Sequence, residues 1–253
     1  MIDIILMGTA CASSGIGRDN TYLLIKEEND ECTLIDIGGN PLGKLKNVNI
    51  KTGQIKRLLL THFHIDHIYG LPSLLWGMWI DGRTEPFDIY CAEVNRKWLE
   101  DWVEHLQMNQ WPISFEIRIH SFDWKTRSQV WSNEELYFSV FPSIHGEEPT
   151  VGIEVRYKEK LMVYSSDTVL NSALKQYPKI DLLIHEATSA RDAIPAHSSL
   201  EGILSFYNLD TIERLLLVHL MDDQPYNEVL TQLPADIFSK ITLGSDLLYV
   251  SLK

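Results

Sequence analysis

Short apolar runs rich in β-branched residues punctuate the chain. They lie at Ile2–Met7, Tyr22–Ile25, Thr33–Ile37 and Leu58–Thr61, then at Phe87–Tyr90, Phe115–Ile119, Leu136–Phe141 and Val151–Tyr157. Four more follow at Leu161–Tyr164, Leu182–His185, Leu215–His219 and Leu247–Leu252. Runs of this length between turn residues predict strands. Helical periodicity appears near His67–Trp79, Glu93–Gln107, Ser198–Tyr207 and Tyr226–Ser239. Early strands are consecutive and later ones alternate with helices, a succession that suits an α/β fold of two mixed sheets between helices. Gly38-Gly39 and Gly152 punctuate strand ends. No repeat, low-complexity tract or Pro/Gly-rich linker breaks the pattern, so one domain over residues 1–253 is expected.

The chemically interesting polar residues fall just past these runs. His62 follows Leu58–Thr61, His145 follows Leu136–Phe141 and Asp167 follows Leu161–Tyr164, while His185 and His219 end their own runs. Residues beyond several strand ends converge on one rim of a sheet, the usual place for an active site.

Composition narrows the classes. Met1–Met7 is apolar but carries Asp3 and no basic segment, so it reads as a strand and not a leader. No apolar run approaches a membrane span, and no membrane partner is expected. Cys11, Cys32 and Cys91 are sparse and form no C-x-x-C, which argues for a reducing, cytoplasmic setting and against a thiolate zinc site. The net charge of -13, with 22 basic residues showing no cluster along the chain, gives no long-range attraction to a polyanion. DNA is not an expected partner.

The densest signal is Thr61-His62-Phe63-His64-Ile65-Asp66-His67, an H-x-H-x-D-H segment. His62 and His64, two apart, share one side of an extended segment, and Asp66 and His67 open the next helix. Two pairs pointing differently are able to serve two metals. Imidazole and carboxylate without thiolate suit zinc, with iron or manganese as alternatives. His145, Asp167 and His219 are candidate ligands from elsewhere; each alone reads equally as a satisfied strand-end residue, and it is the combination that points to metal.

The order H-x-H-x-D-H, His, Asp, His, each after an apolar strand, resembles the metallo-β-lactamase superfamily, whose αββα sandwich the resemblance implies. It implies that His62, His64 and His145 hold one zinc, that Asp66, His67 and His219 hold a second, and that Asp167 bridges them. Within that superfamily, His64–Pro72 followed by Asp81-Gly82-Arg83-Thr84-Glu85-Pro86 resembles the tRNA 3′-processing endonuclease, ribonuclease Z. His185-Glu186-Ala187-Thr188 matches its HEAT box, and His197-Ser198 its HST box with Ser199 in place of Thr. Two features depart from it. Ser14–Asn20 keeps Arg18 but lacks the Pro and Lys of the family's P-x-K-x-R-N loop. Only 22 residues separate His145 from Asp167, room for two strands and a turn but not for a tRNA-gripping arm. In this the chain resembles the phosphoribosyl cyclic phosphodiesterase and related small phosphodiesterases.

The resemblance implies two zinc ions sharing a hydroxide that attacks phosphorus in line. His197, oriented by Glu186, is the candidate general acid, and Asp66 is expected to take part beside them. The alternative for His197 is a helix-capping residue, and Ser198-x-x-Glu201 reads as a capping box. His185 reads as a partner behind the ligands or as a strand-end residue. Trp98 and Trp102, at i and i+4, read as a buried helix stripe. Trp76 and Trp79 read as core in preference to a pocket wall or dimer face, and Arg18 as a phosphate contact or a surface residue. The leading reading is a phosphodiesterase for a small, cyclic or RNA phosphodiester, with a homodimer possible. Its rivals are a tRNA 3′-endonuclease, a thioester, lactone or β-lactam hydrolase on the same metals, and a non-catalytic RNA-binding or redox relative.

Overall fold

The computed structural model of the protein describes residues 1–112 and 114–253. The first half runs β1 (Ile2–Gly8), β2 (Tyr22–Lys26), β3 (Cys32–Ile35), helix α1 (Pro41–Asn47), β4 (Ile55–Leu59), α2 (Ile65–Ile68), α3 (Leu71–Ile80), β5 (Phe87–Ala92), α4 (Glu93–His105) and β6 (Ile117–Phe122). The second runs β7 (Ser128–Ser132), β8 (Leu136–Pro142), β9 (Val151–Tyr157), β10 (Lys160–Tyr164), β11 (Leu182–Glu186), α5 (Leu200–Phe206), β12 (Leu215–Val218), α6 (Tyr226–Leu230), α7 (Ala235–Phe238), β13 (Ile241–Leu243) and β14 (Leu248–Leu252).

The strands form two seven-stranded sheets, ordered β14-β1-β2-β3-β4-β5-β6 and β13-β12-β11-β10-β9-β8-β7. Each is mixed. β14 to β3 and β7 to β10 are antiparallel, while β3 to β6 and β10 to β13 are parallel. The parallel connections are crossovers that lay helices on the outer faces, which gives the expected αββα layering. Side chains obey the pleat. Ile4 and Leu6 of β1 enter the layer between the sheets, and Ile5 and Met7 enter the layer under the helices. On β12, Leu216 and Val218 point inward while Leu215 and Leu217 meet α5 and α6. Strands buried on both faces read as continuous apolar runs, which is why the pattern was visible in the sequence.

Several elements differ from expectation. The segment read as His67–Trp79 is two helices, α2 and α3, broken at Gly70 with Pro72 in the first turn of α3. A Cβ on Gly70 would lie 2.6 Å from the Ile37 carbonyl, so only glycine lets the chain pass there. Tyr226–Ser239 is likewise two short helices, with Pro234 between them. Helix α1 and strands β7 and β13 carry no signal: α1 is short, β7 is a half-exposed edge strand, and β13 has three residues. In α4 the buried residue is Leu99. Trp98 is 48% exposed and stacks its edge on Phe63, so it does not form a buried stripe with Trp102. Trp76 is also exposed, which corrects its core reading, whereas Trp79 and Trp111, which it touches, are partly buried and pack against the core. Cys11, Cys32 and Cys91 are free and buried, and burial pushes the Cys32 and Cys91 thiols up to about 12. No helix among the described residues is long and apolar enough to cross a membrane.

Candidate metal centre

The ends of β3, β4, β8, β10, β11 and β12 meet on one rim of the sandwich. Past β4 the chain stays extended through His64, the residue that begins α2, so Asp66 and His67 sit in the helix's first turn. The close approach of α2 to the exit of β3 depends on Gly38, where a Cβ would fall 2.1 Å from the Asp66 carbonyl oxygen. His145 follows β8 and Asp167 follows β10. His219 follows β12 with a left-handed backbone, φ 57°. Asp36 (φ 60°), Ser166 (φ 54°) and Ala196 (φ 66°) are also left-handed here. Strain of this kind persists where the surroundings over-determine it, and it is concentrated at functional sites.

The rim gathers all seven candidate ligands into two groups, His62, His64, His145 and Asp167, and Asp66, His67, Asp167 and His219; the donor atoms in each lie within 4.8 Å of one another. Asp167 belongs to both. Its Oδ2 lies 3.9 Å from His62 Nε2, 3.8 Å from His145 Nε2, 3.5 Å from His67 Nε2 and 3.2 Å from His219 Nε2. Asp66 Oδ2 lies 3.4 Å from His67 Nε2 and 3.5 Å from His219 Nε2. His64 Nδ1 and His145 Nε2 are 3.0 Å apart. Two nitrogens that share a tetrahedral zinc stand about 3.3 Å apart, given bonds of about 2.0–2.1 Å.

His62 Nε2, Asp66 Oδ2, His67 Nε2, Asp167 Oδ1 and His219 Nε2 are buried and have no hydrogen-bond partner among the described residues. Orphaned buried polar atoms are rare and costly, and five of them within these two clusters fit cationic groups there. Charge follows the same logic. Burial raises the Asp167 carboxyl, but His219 and His67 outweigh it and hold the group well below the usual carboxylate range. Burial and the neighbouring His67 push His62 well below its ordinary value, leaving a neutral imidazole, the form that binds metal.

Around these side chains lie residues the sequence did not single out. Asp36, wholly buried after β3, accepts from Thr61 N at 2.7 Å and Thr61 Oγ1 at 2.8 Å, and pairs with His67 Nδ1 at 2.8 Å. Thr61 Oγ1 also lies 3.0 Å from His62 Nδ1. His145 Nδ1 donates to the Ala196 carbonyl at 2.9 Å. Each contact ties up Nδ1 and leaves Nε2 facing the centre.

His197 Nδ1 lies 3.1 Å from Glu186 Oε1. Burial lowers the His197 pKa, but Glu186, Asp167 and Asp66 together raise it above its ordinary value. His185 points the other way, between the Glu186 carbonyl at 2.6 Å and Tyr207 Oη at 3.1 Å, within the helix layer. The cap of α5 is Ser199, which accepts from Gly202 N; Ser198 instead donates its hydroxyl to the Thr168 carbonyl, so the Ser198–Glu201 box is absent. Arg18 is occupied by the Gly244 carbonyl at 2.8 Å, Thr9 Oγ1 at 3.3 Å and Asp222. It braces its loop.

The fold also gathers Lys and Arg residues that are scattered in sequence, among Glu159, Asp181 and Glu213. Arg156, Lys160 and Lys179 line one cleft, and Lys160, Arg214 and Lys253 line an adjoining one. Both lie at the start of β10, the opposite end of that strand from Asp167, and Asp181 pairs with both Lys160 and Lys179.

Comparison with known proteins places this geometry. The family model described as "Anti-Pycsar protein Apyc1" matches residues 2–241. A ribonuclease Z from Methanothermobacter thermautotrophicus is 22% identical, over all of this chain and 97% of its own length. Human tRNase Z, short form, superposes with a TM-score of 0.81 at 22% identity, covering 99% of both chains. A diphosphatase of the PhnP family superposes with a TM-score of 0.75 at 19% identity, covering 100% of this chain and 98% of its own.

Proposed function

The chain belongs to the Anti-Pycsar protein Apyc1 family and has the metallo-β-lactamase fold, and on that premise we propose that it is a metal-dependent phosphodiesterase acting on a small or cyclic phosphodiester. The observation that carries the reading is the gathering of four orphaned buried ligand atoms, from His62, Asp66, His67 and His219, around Asp167, itself carrying an orphaned oxygen and shared by both clusters. His62, His64 and His145 would hold one zinc and Asp66, His67 and His219 the other, with Asp167 between. When bound, such a pair lowers the pKa of water to about 7 and neutralises charge on phosphoryl oxygens.

The chain's own residues supply the rest. Glu186 accepts a hydrogen bond from Nδ1–H of His197, which favours the protonated ring and leaves Nε2–H as the group that hands a proton to the departing alkoxide. Glu186 is completely buried, so this pairing is shielded from water. Asp66 and Asp167 hold negative charge that a cation pair offsets.

A tRNA 3′-endonuclease is the second reading, favoured by the likeness to a ribonuclease Z of Methanothermobacter thermautotrophicus. Against it, the stretch from His145 to Asp167 holds only a short loop, β9, a tight turn and β10, with no inserted arm. The clefts that hold Lys and Arg sit at the start of β10, the opposite end of that strand from Asp167. Holding tRNA takes several phosphate contacts beside the reacting one. The test is kcat/KM at about 0.15 M salt for a cyclic nucleotide, bis-p-nitrophenyl phosphate, a precursor tRNA, a thioester and a lactone. The reading expects the small phosphodiesters to lead; precursor tRNA cleaved orders of magnitude better, or a thioester or lactone leading, would overturn it.

A further inference from the structure

We propose that Thr188 is a positioning residue that links the candidate metal ligand His219 to the His197–Glu186 pair, fixing the tautomer of His219 through its hydroxyl. The proposal rests on the reading of His219 as a ligand and His197 as the general acid.

The Thr188 side chain is buried where the two sets meet. Its Oγ1 lies 2.8 Å from Glu186 Oε2, 2.8 Å from His219 Nδ1 and 3.2 Å from His197 Nδ1. A hydroxyl has one proton to give and two lone pairs to receive. Glu186 decides where the proton goes. It is an acceptor-only carboxylate receiving Thr168 N at 3.2 Å, Ser198 N at 2.9 Å and His197 Nδ1 at 3.1 Å on Oε1, and Thr188 N at 3.0 Å on Oε2. The Thr188 hydroxyl therefore donates to Oε2, and its lone pairs face the histidines. His219 Nδ1 must then carry the hydrogen and donate it to Thr188. That leaves His219 Nε2 bare, the same atom that lies 3.2 Å from Asp167 and has no hydrogen-bond partner.

The first sheet holds the same construction. Asp36 accepts the hydroxyl of Thr61, whose oxygen faces His62 Nδ1, and Asp36 pairs directly with His67. One buried carboxylate and one threonine thus orient two imidazoles at the end of each sheet. At the second sheet one of those imidazoles is the proton donor, so a single hydrogen-bonded unit sets the geometry of both metal and acid.

Thr188→Val keeps the shape and removes the hydroxyl; Thr188→Ser keeps the hydroxyl and removes a methyl. Zinc affinity is measured by competition with a chromogenic chelator, and kcat for p-nitrophenolate against alkoxide leaving groups. Valine should weaken zinc by roughly 10–100-fold and slow alkoxide departure more than p-nitrophenolate departure. Serine should stay near wild type in both. Valine binding zinc like wild type, or serine failing as badly as valine, would overturn the proposal. An independent readout needs no variant. The nitrogen NMR spectrum of zinc-loaded wild type should show His219 protonated at Nδ1, and a bare Nδ1 would refute it. Wild type that binds no zinc would instead overturn the underlying reading.

Discussion

Replacing Asp36 by Asn changes one oxygen to an amide, and the structure leaves that amide no good orientation. The left-handed backbone at φ 60° is one that Asn tolerates, so the main chain is undisturbed. The Oδ1 position receives Thr61 N–H, and the Oδ2 position receives both the Thr61 hydroxyl and His67 Nδ1–H. An amide NH₂ at the first position opposes a backbone donor. At the second it opposes His67 Nδ1–H, and the Thr61 hydroxyl must turn round to accept it. Its proton then faces His62 Nδ1 and moves the ring hydrogen to Nε2, the atom aimed at the centre. Losing a charge-assisted bond and burying an opposed donor costs about 2–4 kcal/mol together. For a chain of this size that lowers the melting temperature by roughly 5–10 °C, with zinc affinity falling about 10–100-fold. Melting is followed with and without a chelator, and bound zinc by elemental analysis. An Asp36→Asn protein that melts within about 1 °C of wild type and keeps its zinc would refute this account of how His62 and His67 are oriented.

Further outcomes follow from the same geometry. His197→Ala should retain its metals but lose roughly 10²–10⁴-fold in kcat on poor leaving groups, with a smaller loss for p-nitrophenolate; equal losses, or lost metal, would remove His197 as the acid. Asp181 responds to pH away from the centre. Burial raises its carboxyl, but hydrogen bonds from Lys160, Leu161 N and Lys179 outweigh that and hold it at about 2, below its ordinary value of 3.8. A depressed folded pKa contributes stability above the unfolded value that is lost as pH falls through about 2. The stability gap between wild type and Asp181→Asn should reach at most about 2 kcal/mol near neutrality and close between about pH 4 and 2; a gap that widens on acidification contradicts the assignment. Native Cys32 and Cys91, buried with thiols near 12, should resist thiol reagents until the chain unfolds.

The strands were readable because burial on both faces makes them continuously apolar; His62, His145, Asp167 and His219 were readable because each stands at or just past the end of such a run, and His64, Asp66 and His67 because they crowd behind His62. Edge elements were not. Ser128–Ser132 carries Val130 and Trp131 among polar neighbours, and nothing local distinguishes it from a loop. Pro72 and Pro234 were in plain view, yet helical periodicity masked the breaks they make. For Asp36, Thr61 and Thr188, the hydrogen-bonded residues behind the histidines, it was the part they play that could not be read. Their role lies in which nitrogen they occupy, and spacing along a chain carries no information about that. Trp98 failed because an i, i+4 pair defines a stripe without saying which stripe is covered; Leu99 fixes the buried face of α4.

The central claim is a two-metal centre bridged by Asp167, and metal stoichiometry tests it most directly. Protein produced with zinc supplementation should carry two ions per chain by elemental analysis, and Asp167→Ala should lose most of both, because the carboxylate that would screen one cation from the other is gone. One ion or none in the wild type, or two retained without Asp167, would contradict it.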